Sequence, residues 1–383
     1  MTLLNTLDLT YPIIQAPMAG ATTPELAATV SKFGGLGSLG AGMTAPDVLN
    51  SEINTIKSLT DRPFMVNLMV LSEYESSALD SEIPAWLSNY YQEKNIEFTL
   101  PKHPALSFAE QLQVLYDNPV PVASFTFGII SAEQVQRLQS LGTRVVGTAN
   151  HPLEAKAWAD IGADAVCVQG VEAGGHRGGW LPQSENDPLG LLTLISQTRA
   201  CTDIPLIAAG GIMNGKDIKA VQTAGAELAQ IGTAFLTTDK CGINDIYKQA
   251  LLDASQGGRS SETRLTRLFS GKQARGLLND YLHDFAQFES AHELPPYPQL
   301  NAMTKFLRAH ATKNRDAEHQ SLWAGQGVTL VRQERTVELL ERLVRESYFD
   351  RRRLIFNSAY NRVDTVLKEY NATGINYSQP LSA

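Results

Sequence analysis

The ten-residue segment Gly170-Val-Glu-Ala-Gly-Gly-His-Arg-Gly-Gly179 carries the densest chemical signal in this sequence. Half of it is glycine, and His176 stands in the middle. An imidazole can take or give a proton near neutral pH. Consecutive glycines cost backbone entropy on folding, so their presence beside a histidine points to close approach of a ligand. A lone histidine on such a segment also reads as a surface residue; its position in the fold has to decide. Gly210-Gly211 and the run Gln230-Ile231-Gly232-Thr233 form two further glycine sites. Glycines there would let backbone N–H groups approach a phosphate, and a helix starting after Gly211 would add the positive end of its dipole. The alternative is a pair of tight turns. Asn67 and Gln169 are amides within apolar runs. Buried amides need partners, which are either an internal hydrogen-bond network or the polar edge of a bound ring.

The elements that must position these residues alternate between short apolar runs and amphipathic segments. The runs begin near Pro12, Leu36, Phe64, Pro121, Thr143, Ala165, Pro205 and Leu228. Several are about 22 residues apart, the length of one strand–helix unit. Eight such units predict a closed parallel (β/α)8 TIM barrel with its active site at the C-terminal ends of the strands. The His176 segment follows strand six, which ends in Gln169; Gly210-Gly211 end strand seven; strands three and eight carry Asn67 and Gln230 to Thr233. The intervening helices carry their own start and stop signals. Thr23 then Pro24 reads as N-cap and first turn, with Gly34 as the stop. Ser131 with Gln134 predicts a capping box for a helix that carries Val135, Leu138 and Leu141 on one face and ends at Gly142. Asn214 caps a helix that ends at Gly225.

Two regions depart from the rhythm. Residues 71–104 are too long for an ordinary loop and read as an excursion or lid. The barrel is assigned to residues 1–240 with this insertion. Residues 241–347 read as a mostly helical region, and 348–383 as a C-terminal extension with an amphipathic helix to about Tyr370 and a loose end. The run Gly35-Leu-Gly-Ser-Leu-Gly40 matches G-x-G-x-x-G but follows a helix and enters a strand. A dinucleotide fingerprint does the reverse.

Composition narrows the function classes. The 383 residues carry 40 acidic and 32 basic side chains, a net charge of −8 with no basic stripe, which argues against nucleic acid as a partner. No run is long and apolar enough for a membrane span, and the N-terminus lacks the features of a signal peptide. Cys167, Cys201 and Cys241 have neither metal-ligand spacing nor a CxxC partner, so no metal site and a reducing, cytoplasmic setting are expected.

Taken together, several segments are similar to the nitronate monooxygenases, formerly 2-nitropropane dioxygenases, and within them to class I. They are Pro12-Ile-Ile-Gln-Ala-Pro-Met-Ala-Gly20, Pro63-Phe-Met-Val-Asn-Leu68, Thr126-Phe-Gly128, Val146-Gly-Thr-Ala149, Asp164 to Gly178, Ala209-Gly-Gly-Ile212, Gln230 to Thr233, Pro296-Tyr-Pro298 and Leu322-Trp-Ala-Gly-Gln-Gly327. The resemblance covers about residues 10 to 345. It implies a smaller helical region over the barrel mouth, FMN held without a covalent bond, and oxidation of alkyl nitronates such as propionate-3-nitronate by O2 to a carbonyl compound and nitrite, a detoxification. It implies that Asn67, Gln169, Gly174, Gly175, Gly211, Gln230, Ile231, Gly232 and Thr233 bind FMN, with Pro17 and Met18 along the ring. His176 becomes the catalytic residue. A monomer or homodimer acting on a small nitronate fits this picture. Related readings are an FMN-dependent enoyl or quinone reductase using NAD(P)H, and a flavin-binding module without turnover. The chain departs from the family pattern at Gln299-Leu300-Asn301 and at Asn150-His151-Pro152.

Overall fold

The computed structural model describes residues 2–72, 82–289 and 294–348. Eight parallel strands form the central sheet: β1 (Ile13–Gln15), β2 (Gly37–Gly40), β3 (Phe64–Met69), β4 (Val122–Thr126), β5 (Arg144–Ala149), β6 (Ala165–Gln169), β8 (Leu206–Ala209) and β9 (Leu228–Ile231). The two-residue strand β7 (Gly175–His176) stands apart from this sheet. Their order is β1-β9-β8-β6-β5-β4-β3-β2, and the bridge Ile14 to Leu36 closes β1 on β2. This is the (β/α)8 barrel, and each strand begins within a residue of its expected start.

Side-chain alternation along these strands explains where the polar groups lie. One parity faces helices: Val66, Val166, Val168 and Ala208 join the large core between barrel and outer ring. The other faces the barrel interior, where Ile14, Met65, Val122, Val146, Cys167, Ile207 and Leu228 form a second core. Leu3, Leu7 and Leu9 of the N-terminal segment belong to that interior core and stopper the barrel at its N-terminal end. One step further along the same parity come Asn67, Ser124, Thr148, Gln169 and Gln230. The interior is therefore apolar at its base and polar at its mouth.

The helix signals act as read. Thr23 Oγ1 accepts from Leu26 N–H at 3.0 Å, and Gly34 ends that helix with φ +103°. Ser131 and Gln134 form the capping box. That helix stops at Ser140, however, so Leu141 is its C-cap, exposed and outside the apolar face that buries Val135 and Leu138.

The β/α rhythm breaks after β9, yet the outer ring is completed much later in the chain. The helix Thr336–Tyr348 packs between Gly215–Ala224 and Pro24–Phe33, the helices that follow β8 and β1. A barrel ending at residue 240 omits this member. The region before it is less helical than its composition suggests. It contributes β10 (Thr263–Thr266) and β11 (Ala274–Leu277), an antiparallel pair that also binds β7. Part of the expected excursion lies outside the described residues. Its described helix Ala85–Glu93 places Trp86, Leu87 and Tyr91 in a third core with Leu268, Phe269, Tyr281, Leu300, Met303 and Leu307. The extension from residue 349 onward also lies outside the described residues. Among the described residues no helix is long and apolar enough to cross a membrane.

Candidate active site

A cavity of about 560 Å³ opens at the C-terminal ends of the strands, a size suited to a cofactor with a small ligand. Pro17, Met18, Asn67, Gln169, Gly174, Gly175, His176, Gly211, Gln230, Gly232 and Thr233 all line it. Ile231 does not. It follows inward-facing Gln230 on the same strand and points the other way, fully buried in the core against the helices.

His176 is held by a strand, not carried on a loose loop. Gly175 pairs with Arg275 and His176 with Ala274, while Arg177 N–H donates to Gln273 O at 2.8 Å. The imidazole Nε2 lies 2.8 Å from Ser270 Oγ, whose hydroxyl donates to Lys272 O at 3.1 Å. With that hydrogen committed, Ser270 accepts from Nε2–H, and Nδ1 is left as the basic nitrogen. The rings of Phe127, Tyr297 and Trp323 each sit 5.6 Å from the imidazole. Phe127 reaches this position from a left-handed backbone, φ +75°. Burial among these groups pushes the His176 pKa down to about 3, helped by the positive charges of Lys272 and Arg308. The residue is a neutral base at physiological pH.

Buried acceptors anchor the rest of the segment. Gln169 Nε2 donates to His176 O at 3.1 Å, and its Oε1 accepts from Gly178 N–H at 2.9 Å and Asn150 Nδ2 at 2.8 Å. Its amide thus serves the internal network. Asn150, one of the departures from the family pattern, orients Gln169 and also accepts from Gly179 N–H. The carboxylate of Glu154, wholly buried, accepts from the N–H groups of Asn150, Trp180 and Leu181 at 2.6, 2.6 and 2.7 Å. The glycine at 174 answers a packing demand: a Cβ there would come within 2.4 Å of Gly325 N. That nitrogen in turn donates to Thr233 Oγ1 at 2.9 Å.

Across the mouth, Gly210 and Gly211 adopt φ +119° and +70°. Their N–H groups meet no acceptor among the described residues. The expected helix dipole is not available to them. The following helix begins only at Gly215, and its first N–H groups are taken by Asn214 (2.9 and 3.0 Å) and Glu346 (3.1 Å). Asn67 Nδ2 donates to Ser124 Oγ at 3.0 Å.

Ser270, Trp323 and Arg308 reach the site from the region after β9. No periodicity marks them, and only Trp323 lies in a segment that carried the family resemblance. The positive-φ residue Phe127 sits in another such segment, Thr126-Phe-Gly128.

The nitronate monooxygenase family model matches residues 1–346. A probable nitronate monooxygenase of Staphylococcus haemolyticus is 40% identical over 353 residues, 90% of this chain and 96% of that protein. One of Bacillus subtilis is 39% identical over 342 residues, 88% and 96%. Among solved structures, nitroalkane oxidase from Streptomyces ansochromogenes superposes with a TM-score of 0.81 at 40% identity, covering 92% of this chain and 99% of that one. FabK from Thermotoga maritima gives 0.71 at 26% identity, covering 92% and 97%. The chain is an oxidoreductase and belongs to the nitronate monooxygenase family.

Proposed function

We propose that this enzyme oxidises alkyl nitronates, such as propionate-3-nitronate, with O2 and a non-covalently held FMN, giving a carbonyl compound and nitrite. The observation that carries the reading is His176: a neutral imidazole, fixed by Ser270, enclosed by three aromatic rings and facing a cavity of cofactor size.

The residues present fit FMN. The N–H groups of Gly210 and Gly211 have no acceptor within the described protein. At Gly232 the nearest side-chain atoms to a built Cβ, Ala16 Cβ and Met18 Sδ, lie at 3.5 and 3.6 Å, which leaves the backbone open to a ligand. Gly211, Gly232 and Thr233 would hold the phosphate, with Asn67 and Gln230 at the ring edge and Pro17 and Met18 along its face. Gly174 and Gly175 would border it. Gln169 contributes chiefly by holding His176 in place. When bound, FMN supplies the electron acceptor and the reactivity toward O2.

The chain's own residues do the rest. Nδ1 of His176 can remove the α-proton of a nitroalkane or hydrogen-bond a nitronate. Phe127, Tyr297 and Trp323 pack around the imidazole and limit its contact with water. Ser270 keeps the proton on Nε2, so the base is always presented in one tautomer.

The deciding experiment is nitrite release and O2 uptake by the FMN-loaded protein given propionate-3-nitronate, with NADPH oxidation followed beside it. Nitrite with O2 uptake and no nicotinamide oxidation is expected. Rapid NADPH oxidation without nitrite would instead assign a flavin reductase to the same barrel.

A further inference from the structure

The cavity has a one-sided charge inventory. Among its described lining residues there is no Asp or Glu, and Arg308 is the one permanently charged side chain. Arg308 stands on the helix Lys305–Lys313. Its Nη2 donates to Asn301 O at 2.7 Å and to Asn301 Oδ1 at 3.0 Å, and its Nε makes a long contact of 3.4 Å with Thr304 O. No carboxylate pairs with it among the described residues. The groups whose field acts on it are the phenols of Tyr281, Tyr91 and Tyr297. Burial holds the first two well above their ordinary pKa, so they stay neutral. A partly buried guanidinium at the cavity wall without a counter-charge is costly, and an arriving anion would relieve that cost.

The fold also separates this cation from the glycine cradle. Asn301, which accepts from Arg308, and Tyr297, whose phenol acts on it, mark where Arg308 stands. Tyr297 packs its ring 5.3 Å from Phe127, just past β4, and its hydroxyl reaches Met69 Sδ of β3 at 3.2 Å. Gly210, Gly211 and Gly232 follow β8 and β9. In the strand order, β3 and β4 lie diametrically opposite β8 and β9. Arg308 therefore stands on the His176 and Phe127 side of the mouth, away from the cradle for phosphate.

We propose that Arg308 is the substrate's anion receptor and grips a planar pair of negative oxygens. A nitronate group and a chain carboxylate share that chemistry, and the guanidinium fork matches either one with two parallel hydrogen bonds. The inference deepens the nitronate reading and rests on it for the identity of the reacting group. His176 is neutral, so Arg308 supplies the positive charge that the imidazole does not.

The test uses FMN-loaded wild type, Arg308→Met and Arg308→Lys. Binding of propionate, and of its neutral counterpart propionamide, is read from the flavin absorption spectrum. Turnover is measured with propionate-3-nitronate and with propane-1-nitronate. Propionate affinity should fall at least about 30-fold in Arg308→Met, the lower end for truncating one partner of a buried charge pair. It should recover in part in Arg308→Lys, while propionamide binding and FMN content hold. A KM increase confined to propionate-3-nitronate assigns the chain carboxylate to Arg308; an increase with both substrates assigns the nitronate group. Equal propionate binding by wild type and Arg308→Met overturns the proposal. So does loss of FMN from both variants, because the residue would then serve the cofactor or the fold. If wild type turns over neither nitronate, the functional reading falls, and the contrast between propionate and propionamide still decides the role of Arg308.

Discussion

His176 is chemically defined by residues distant in sequence. Ser270, 94 positions away, sets its tautomer, and three aromatic rings keep it unprotonated. Replacing it by asparagine (His176→Asn) should leave FMN bound and cut turnover about 10²- to 10⁴-fold, the usual contribution of a positioned acid–base group. Full nitrite production by that variant would remove His176 from the chemistry. Ser270→Ala should lower kcat about tenfold, since it frees the imidazole to change tautomer, and Ser270→Thr should recover most of it. The pH dependence has a definite sign. The folded pKa, about 3, lies below the unfolded value of about 6.5, so the unfolded chain binds the extra proton between them. Stability is therefore lost as pH falls below about 6.5, approaching roughly 1.4 kcal/mol per pH unit for this one group. Denaturant titrations at pH 7 and pH 5 should show a smaller acid loss in His176→Asn than in wild type.

At the scale of the element, the segment 170–179 is rigid because buried acceptors and a strand pairing leave it little freedom. Gln169 and Asn150 take up the N–H groups of Gly178 and Gly179, Glu154 holds those of Trp180 and Leu181 just beyond, and β11 fixes the stretch around His176. Several of its glycines serve backbone packing against other parts of the chain. Gly174→Ala would push a methyl group into Gly325. The expected cost is about 1–3 kcal/mol, as for other overpacked sites, with weaker FMN retention as 325 and Thr233 shift. An unchanged melting temperature with normal FMN content would show that the contact can relax.

The whole molecule is closed by a helix that arrives about a hundred residues after the strand it belongs with. Leu339, Leu340 and Leu343 of Thr336–Tyr348 are fully buried, and Arg342 pairs with Glu334 at 2.5 Å. Leu343→Ala should cost about 2–5 kcal/mol, the range for emptying a buried leucine site. The lesion lies on the outer ring, so kcat per folded molecule should hold while the urea midpoint drops. A fall in kcat without loss of stability would couple the ring to the site. Between β9 and this helix the chain builds the third core with Ala85–Glu93, and that core carries Arg308 and Ser270 to the mouth.

What the sequence determined by itself was the barrel and which residues gather at its mouth. Strand starts, helix caps and Gly stops depend on neighbours a few residues away, so local patterning suffices to read them. Strand parity then places Asn67, Gln169 and Gln230 at the mouth without any knowledge of the fold's outer parts. The tertiary structure alone decided the state of those residues. It made His176 neutral, turned Gln169 inward to a network, gave Gly174 a packing role, and delivered Ser270, Trp323 and Arg308 from a region with no periodic signal. Each outcome depends on burial or on a contact between distant segments, and neither is encoded in the spacing of residues along the chain.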